Sequence, residues 1–177
     1  MKFNERIMYK KGQYGESIID EYLKSKNIIP YIPSTNTSHP FDRLCATMDK
    51  KRIFISEVKS VSKRIKYDDT GISIKHYEDY KYIIDKYKID VFIFFVDEKL
   101  KEVYGNYIHE LEKDYYDDIK KKKYPLIEVD NRGYAVGGKI IFFPMVNMKR
   151  NIMSITENDI VELKKLSNYN YVQNPRC

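Results

Sequence analysis

At 177 residues, 42% hydrophobic and 33% charged, the chain has the length of one ordinary domain and enough apolar content to build a core, which excludes a largely disordered protein. Thirty-two Lys and Arg against 26 Asp and Glu leave a formal charge of +6, a balance that suits an anionic partner such as nucleic acid. Two cysteines, Cys45 and Cys177, are too few for a disulfide scaffold or a four-thiolate metal site, so free thiols in a reducing compartment are expected.

The opening stretch MKFNERIMYKKGQ carries charges where a secretory signal has its apolar core. No apolar run approaches the roughly 20 residues of a membrane helix, so a cytoplasmic protein without a membrane partner is expected. A helix is predicted over residues 5–26, where Ile7, Tyr14, Ile18, Ile19, Tyr22 and Leu23 recur at helical spacing. Gly12 and Gly15 weaken its first half. A short strand follows at Ile28–Ile32, closed by Pro33. Two alternating strands come next, Phe41–Met48 and Arg52–Ser60, joined at Asp49-Lys50-Lys51. A second helix lies within Ile74–Lys88, with Tyr77, Tyr80, Ile83, Ile84 and Tyr87 on one stripe. Val91–Val96 (VFIFFV) reads as a central strand covered on both faces. The order α-β-β-β-α-β predicts an α/β or α+β domain, a sheet with helices packed on it.

Beyond Asp97, an edge strand is expected at Glu102–Ile108 and a charged helix at His109–Lys123, ending in four lysines. Pro125 and Asn131-Arg132-Gly133 predict a hairpin of Leu126–Val129 with a later strand, and Lys139–Phe143 reads as strand again. Thr156 is expected to cap a last helix running to about Leu166, with Asp159 at its third position. Asn168–Cys177 reads as a polar tail.

The hairpin over residues 41–60 carries the chemistry, because its alternation fails in a specific way. One face of the second strand reads Ile53, Ile55, Glu57, Lys59, and the face shared by Asp42 carries Leu44, Ala46 and Met48. Burying a lone carboxylate costs several kcal/mol unless something pairs with it. A short turn around Asp49–Lys51 sets Asp42 opposite Glu57, Val58 or Lys59, with opposed Cβ atoms ~5 Å apart. Two carboxylates that close repel, and one takes up a proton near neutrality unless a cation sits between them. Lys59 could neutralise the pair in part and a divalent metal more fully; oxygen ligands alone select a hard ion, Mg²⁺ or Mn²⁺.

Asp42 followed by Glu57-Val58-Lys59 resembles the D…(D/E)-x-K signature of the PD-(D/E)XK nuclease superfamily. Its proline is echoed loosely by His39-Pro40-Phe41-Asp42, with one residue interposed. The likeness covers roughly residues 8–97 through the element order as well as the motif. Glu16 matches the extra helical acid of many members, the archaeal Holliday-junction resolvases among them. His76 and Tyr80, at i,i+4, sit where some families carry QxxxY, with His in place of Gln.

The resemblance implies a restriction-endonuclease-like fold: an α-β-β-β-α-β core over residues 1–97, a mixed sheet flanked by helices, and an α+β extension at 98–177 packed on the same domain. It implies Mg²⁺-dependent phosphodiester hydrolysis of DNA, with Asp42, Glu57 and the Val58 carbonyl holding the metal. Lys59 would position the attacking water or stabilise charge developing on the phosphate oxygens. Glu16 would complete the outer shell of the metal or bind a second ion. An endonuclease is expected, either a structure-selective resolvase acting in DNA recombination or a restriction or repair enzyme. A cut on both strands needs two sites, so a homodimer is expected, with the region after Asp97 as its interface. Lys63, Arg64 and Lys66 lead out of the second hairpin strand and, with Lys10 and Lys11, could contact DNA phosphates.

Plainer readings stand beside these. Asp42, Glu57 and Lys59 could be a structural ion-pair cluster, and Glu16 a solvated helix residue. His76 and Tyr80 could pack the core, and Lys120–Lys123 could end a helix favoured by its dipole. His39, His76 and His109 lack zinc-site spacing. The rival functions are a catalytically inactive nucleic-acid-binding protein on the same fold and a structural protein with a charged hairpin.

Overall fold

The structure, a computed structural model, describes residues 7–33, 40–49, 51–129 and 138–173. Helix α1 (Ile7–Ser25) ends at Asn27, whose φ of 57° turns the chain into strand β1 (Ile28–Tyr31). β2 (Arg43–Thr47) and β3 (Ile53–Lys59) complete an antiparallel meander. β4 (Asp69–Ser73) leaves that sheet and leads into α2 (Ile74–Tyr87). Lys88, at φ 57°, closes α2 with its amide on the Ile84 carbonyl. β5 (Asp90–Asp97) then runs parallel to β3, and β6 (Glu102–Tyr107) returns antiparallel.

The rest of the chain is woven into this frame. A short α3 (Ile108–Leu111) precedes a small hairpin of β7 (Tyr115–Asp117) and β8 (Lys122–Tyr124). β9 (Leu126–Val129) pairs with β10 (Lys139–Pro144), which pairs in turn with β4. β11 (Lys149–Ser154) adds to β6, and α4 (Glu157–Gln173) packs against α1. The main sheet is six-stranded and mixed, in the order β1-β2-β3-β5-β6-β11, beside a three-stranded sheet β4-β10-β9. The architecture is thus mixed α/β, with helices on both faces of a mixed sheet.

Two cores divide the faces of the main sheet. On one, Ile18, Ile19 and Leu23 of α1 and Ile160 and Leu163 of α4 cover Phe54, Val58, Phe94 and Val96. On the other, Tyr80 and Ile83 of α2 and Ile141 and Phe143 of β10 cover Ile55, Ile93 and Phe95. β5 is buried from Val91 to Asp97, which explains the unbroken apolar run of VFIFFV. Thr156 caps α4 by accepting the Asp159 amide at 3.2 Å, and Tyr14 donates to Asp159 Oδ1 at 2.8 Å, pinning α4 to α1.

Several sequence expectations are corrected. The helix expected over His109–Lys123 is only the four residues of α3. Asp117 Oδ1 accepts the amides of Ile119 and Lys120 at 3.0 and 2.9 Å, a side-chain turn that competes with helix. The four lysines therefore lie in a turn and in β8, where Lys122 pairs with Glu128 at 2.8 Å. β4 and β11 were not expected as strands. β4 begins on a fully buried acid, Asp69, and β11 is interrupted at Asn151, where φ is 52° and the register shifts. α4 runs on to Gln173, beyond the expected end at Leu166. His39, Lys50, the turn at 131–133 and Cys177 lie outside the described residues.

Candidate active site

The register of the meander decides which charged groups meet. Arg43 pairs with Ser56, so one step further Asp42 faces Glu57. The Val58 amide donates to Asp42 Oδ2 at 2.8 Å, and the Asp42 amide donates to Glu57 Oε2 at 3.2 Å. Lys59, two residues along the same face of β3, donates from Nζ to Glu57 Oε1 at 2.5 Å. From α2, His76 Nδ1 lies 3.5 Å from Lys59 Nζ, and the buried Tyr80 hydroxyl bonds the Glu57 carboxylate. These five side chains line a cavity of about 610 Å³, together with Phe41, Lys75 and Asp79.

Burial and charge shape the protonation of this group. The Asp42 carboxyl is pushed up to about 7, first by burial and then by the nearby charges of Glu57 and Glu16. The Val58 amide and Lys59 offset that only in part. Burial likewise raises Tyr80, with Glu57 adding to the effect, and lowers His76, which also feels Lys59.

Helix α1 approaches the same end of the hairpin. A Cβ on Gly15 would meet Ser60 Oγ at 2.0 Å, so glycine there lets α1 close on the end of β3. Glu16, the next residue, accepts from Arg43 at 3.1 Å, and its carboxyl is raised chiefly by burial. Arg43 is itself buried and also grips Asp20, with Nε to Oδ1 at 2.8 Å and Nη2 to Oδ2 at 3.0 Å. Its Nη1 donates to the Asp42 carbonyl at 2.8 Å. One guanidinium therefore ties α1 to the residue that presents the Asp42 carboxylate.

Among the described residues no group of three or more His, Cys, Asp or Glu side chains is gathered around a single point. What is gathered is one pair of carboxylates, Asp42 and Glu57, with Lys59 on Glu57. Mg²⁺ commonly takes one or two carboxylates and fills its other positions with water and substrate phosphate, so a two-acid site fits it.

No protein-family model and no curated protein matches the chain. Among solved structures it is similar to Hjc, a Holliday junction resolvase from the archaeal hyperthermophile Archaeoglobus fulgidus. The identity is 12% and the TM-score 0.46, over 58% of this chain and 81% of that one.

The basic residues separate into two groups. Lys10 and Lys66 are exposed, and Lys63 pairs with the exposed Asp68 at 2.9 Å. Lys11 is 7% exposed and bonded to Glu98 at 2.8 Å, so the expected phosphate contact is corrected to an internal ion pair. Arg64 is corrected in the same way. It holds the fully buried Asp69 through Nη2 at 2.5 Å and Glu128 through Nη1 at 2.5 Å, and lies 3.6 Å from the centre of the Phe142 ring. Sequence reasoning passed over Arg43, although a charge alternating with Cys45 on a covered strand face signals a buried pairing. It also passed over Lys75 and Asp79, which repeat the i,i+4 spacing of His76 and Tyr80 one residue out of phase.

Proposed function

We propose that the chain is a metal-dependent deoxyribonuclease of PD-(D/E)XK type that hydrolyses DNA phosphodiester bonds. The observation that carries this reading is the convergence of Asp42, Glu57 and Lys59 on one cavity from adjacent strands. In this reading Asp42 and Glu57, with the Val58 carbonyl, hold Mg²⁺ or Mn²⁺. Bound there, the ion supplies a Lewis acid that polarises the scissile phosphate and makes water acidic enough to attack. Lys59 keeps its ammonium on Glu57 and presents it where negative charge grows on the phosphate oxygens. Glu16, fixed by Arg43, adds negative charge behind the pair. His76 and Tyr80 brace Lys59 and Glu57 from α2. Lys75 at the cavity, with Lys10, Lys63 and Lys66 outside it, receives the DNA backbone. The finer form of the reading is an endonuclease selective for branched DNA, acting as a homodimer so that two sites cut two strands.

A second reading has its own support: both Glu57 oxygens already accept internal donors, as they would in a DNA-binding protein without catalysis. Plasmid and four-way-junction DNA incubated with Mg²⁺, Mn²⁺ or EDTA separates the two. Metal-dependent cuts lost in Asp42→Ala and Lys59→Ala support the nuclease. Salt-sensitive binding with no cut in any metal supports the second reading.

A further inference from the structure

The face of the main sheet away from Glu57 holds a second cavity. Residues alternate along β3, so Phe54 and Val58 point to the α1 side while Ile55, Glu57 and Lys59 point to the α2 side. Near the start of β3 and β5 the helices leave a cleft of about 220 Å³ between the rings of Tyr22, Phe54, Phe92, Phe94 and Tyr107. Its rings meet edge to face, Phe92 with Tyr107 at 4.9 Å and Phe54 with Tyr107 at 6.2 Å. The cleft shares Thr47 and Arg52 with a wider cavity of about 440 Å³ flanked by Lys26 and Lys51.

Charge at this cleft is mostly positive, although Asp90 acts on Tyr107 from outside the lining. No acid lines the aromatic part, and the wider part has a single one, Asp49. Arg52 stands 4.8 Å and Lys149 5.9 Å from the centre of the Tyr107 ring, and Lys26 stands 5.6 Å from that of Tyr22. Among the described residues none of these three cations pairs with a carboxylate. Glu110, which feels Lys149, is bonded instead to Lys113 at 2.5 Å. Arg64 and Lys86 also rest on rings, but Arg64 is held by acids and Lys86 lies apart, so what distinguishes these three cations is that they gather at one cleft.

We propose that this cleft binds a nucleotide, one base lying against the half-buried rings of Tyr22 and Tyr107 above the buried phenylalanines and its phosphate reaching Arg52 and Lys149. A slot smaller than a drug-sized pocket suits a single planar base, aromatic rings stack on any base, and unpaired cations receive a phosphate. Thr47 is already bonded to Asp49 and to the Arg52 amide, so the hydroxyls left for the base edge are those of Tyr22 and Tyr107, which a lipid tail would leave unused. The ligand comes either as a free mononucleotide or as an unstacked base of a single strand. The cleft lies on the opposite face from Asp42, and the proposal does not depend on the nuclease reading.

The test uses the full chain in EDTA, so that no strand is cut, with 2-aminopurine deoxynucleoside monophosphate and a single-stranded oligonucleotide carrying one 2-aminopurine. Quenching by the monophosphate identifies a free-nucleotide site, and quenching by the oligonucleotide alone identifies a strand site; either supports the proposal. dAMP displaces the probe and inorganic phosphate does not. The double variant Arg52→Gln, Lys149→Gln weakens binding about tenfold. Ile152→Trp, which fills the cleft and keeps its charges, weakens it as much, and Lys164→Gln, an exposed charge outside both cavities, leaves it unchanged. Absence of quenching, equal quenching in the folded variants, competition by phosphate alone, or displacement by laurate and not by dAMP would overturn the proposal.

Discussion

Asp42 and Glu57 face each other across two adjacent antiparallel strands, and the amide of Asp42 donates to Glu57 Oε2 at 3.2 Å. The hairpin backbone itself thus holds two acids together, and their repulsion is stored in a region buried on the α2 side. A consequence is a pH dependence of stability in EDTA. The Asp42 carboxyl is pushed up to about 7 from 3.8, so between those values the folded chain binds more protons than the unfolded one. Stability from this group is full below pH ~4 and is lost as the pH rises through about 7. Asp42→Asn keeps an acceptor for the Val58 amide and removes the charge. Its stability should exceed that of the parent by on the order of 1–3 kcal/mol at pH 8, the gap closing toward pH 4. Urea unfolding across that range measures it, and a gap independent of pH would refute the assignment.

Lys59 and the carboxylates should separate in their effects. Mg²⁺ that binds only the folded chain raises its melting temperature. That shift should vanish in Asp42→Ala and Glu57→Gln and survive in Lys59→Met, which retains both acids. Cleavage should fall in all three, by roughly 100- to 1,000-fold for Lys59→Met. Thermal melting with and without Mg²⁺, beside single-turnover cleavage, reads both quantities. Survival of the metal shift in the acid variants would remove the metal from this pair.

The hairpin was readable in the sequence because Glu57 and Lys59 interrupt an apolar face, and a two-residue period leaves few registers in which Asp42 can avoid them. β5 was readable for the opposite reason, a run with no polar face at all. What escaped was written in distant pairings. Asp69 looks like a loop acid until Arg64 and Tyr124, whose hydroxyl donates to it at 2.6 Å, are brought around it. Leu111, Tyr115 and Ile119 keep helical spacing, yet only Leu111 reaches the core while Tyr115 and Ile119 are exposed, so the stripe has nothing to pack on beyond its first residue. Lys11 and Arg64 counted as surface charge in the sequence, and only the fold supplies Glu98, Asp69 and Glu128 as their partners.

Gly15 offers a test of how α1 is seated. Gly15→Ala drives a methyl group against Ser60 Oγ and should cost about 1–3 kcal/mol, although alanine is the better helix former. Adding Ser60→Ala removes the 2.0 Å contact and leaves one at 3.3 Å, so most of the loss should return. Chemical unfolding of the single and double variants reports it. No rescue by the second change would mean that α1 does not rest on Ser60.

Arg64 and Lys66 lie two residues apart and should behave differently. Arg64→Ala strands a carboxylate with 0% side-chain exposure and should destabilise the chain by about 3–5 kcal/mol. Lys66 is exposed, and Lys66→Ala should stay within about 0.5 kcal/mol of the parent while weakening DNA binding at low salt. Urea midpoints and a salt series of gel shifts distinguish the two, and equal stability of both variants would return Arg64 to the DNA-contact set.

Arg43 joins stability to the site, because the guanidinium that compensates Glu16 and Asp20 also holds the Asp42 carbonyl. Arg43→Ala leaves two partly buried acids without a cation and should cost about 3–5 kcal/mol. Arg43→Lys restores the charge but cannot make the paired bonds to Asp20 together with one to a carbonyl. It should therefore recover much of the stability and little of the positioning of Asp42. In the metal-melting assay, Arg43→Lys should need more Mg²⁺ than the parent for the same shift, even where its melting temperature in EDTA is close to that of the parent. A metal response unchanged in Arg43→Lys would show that Asp42 is held by the hairpin alone.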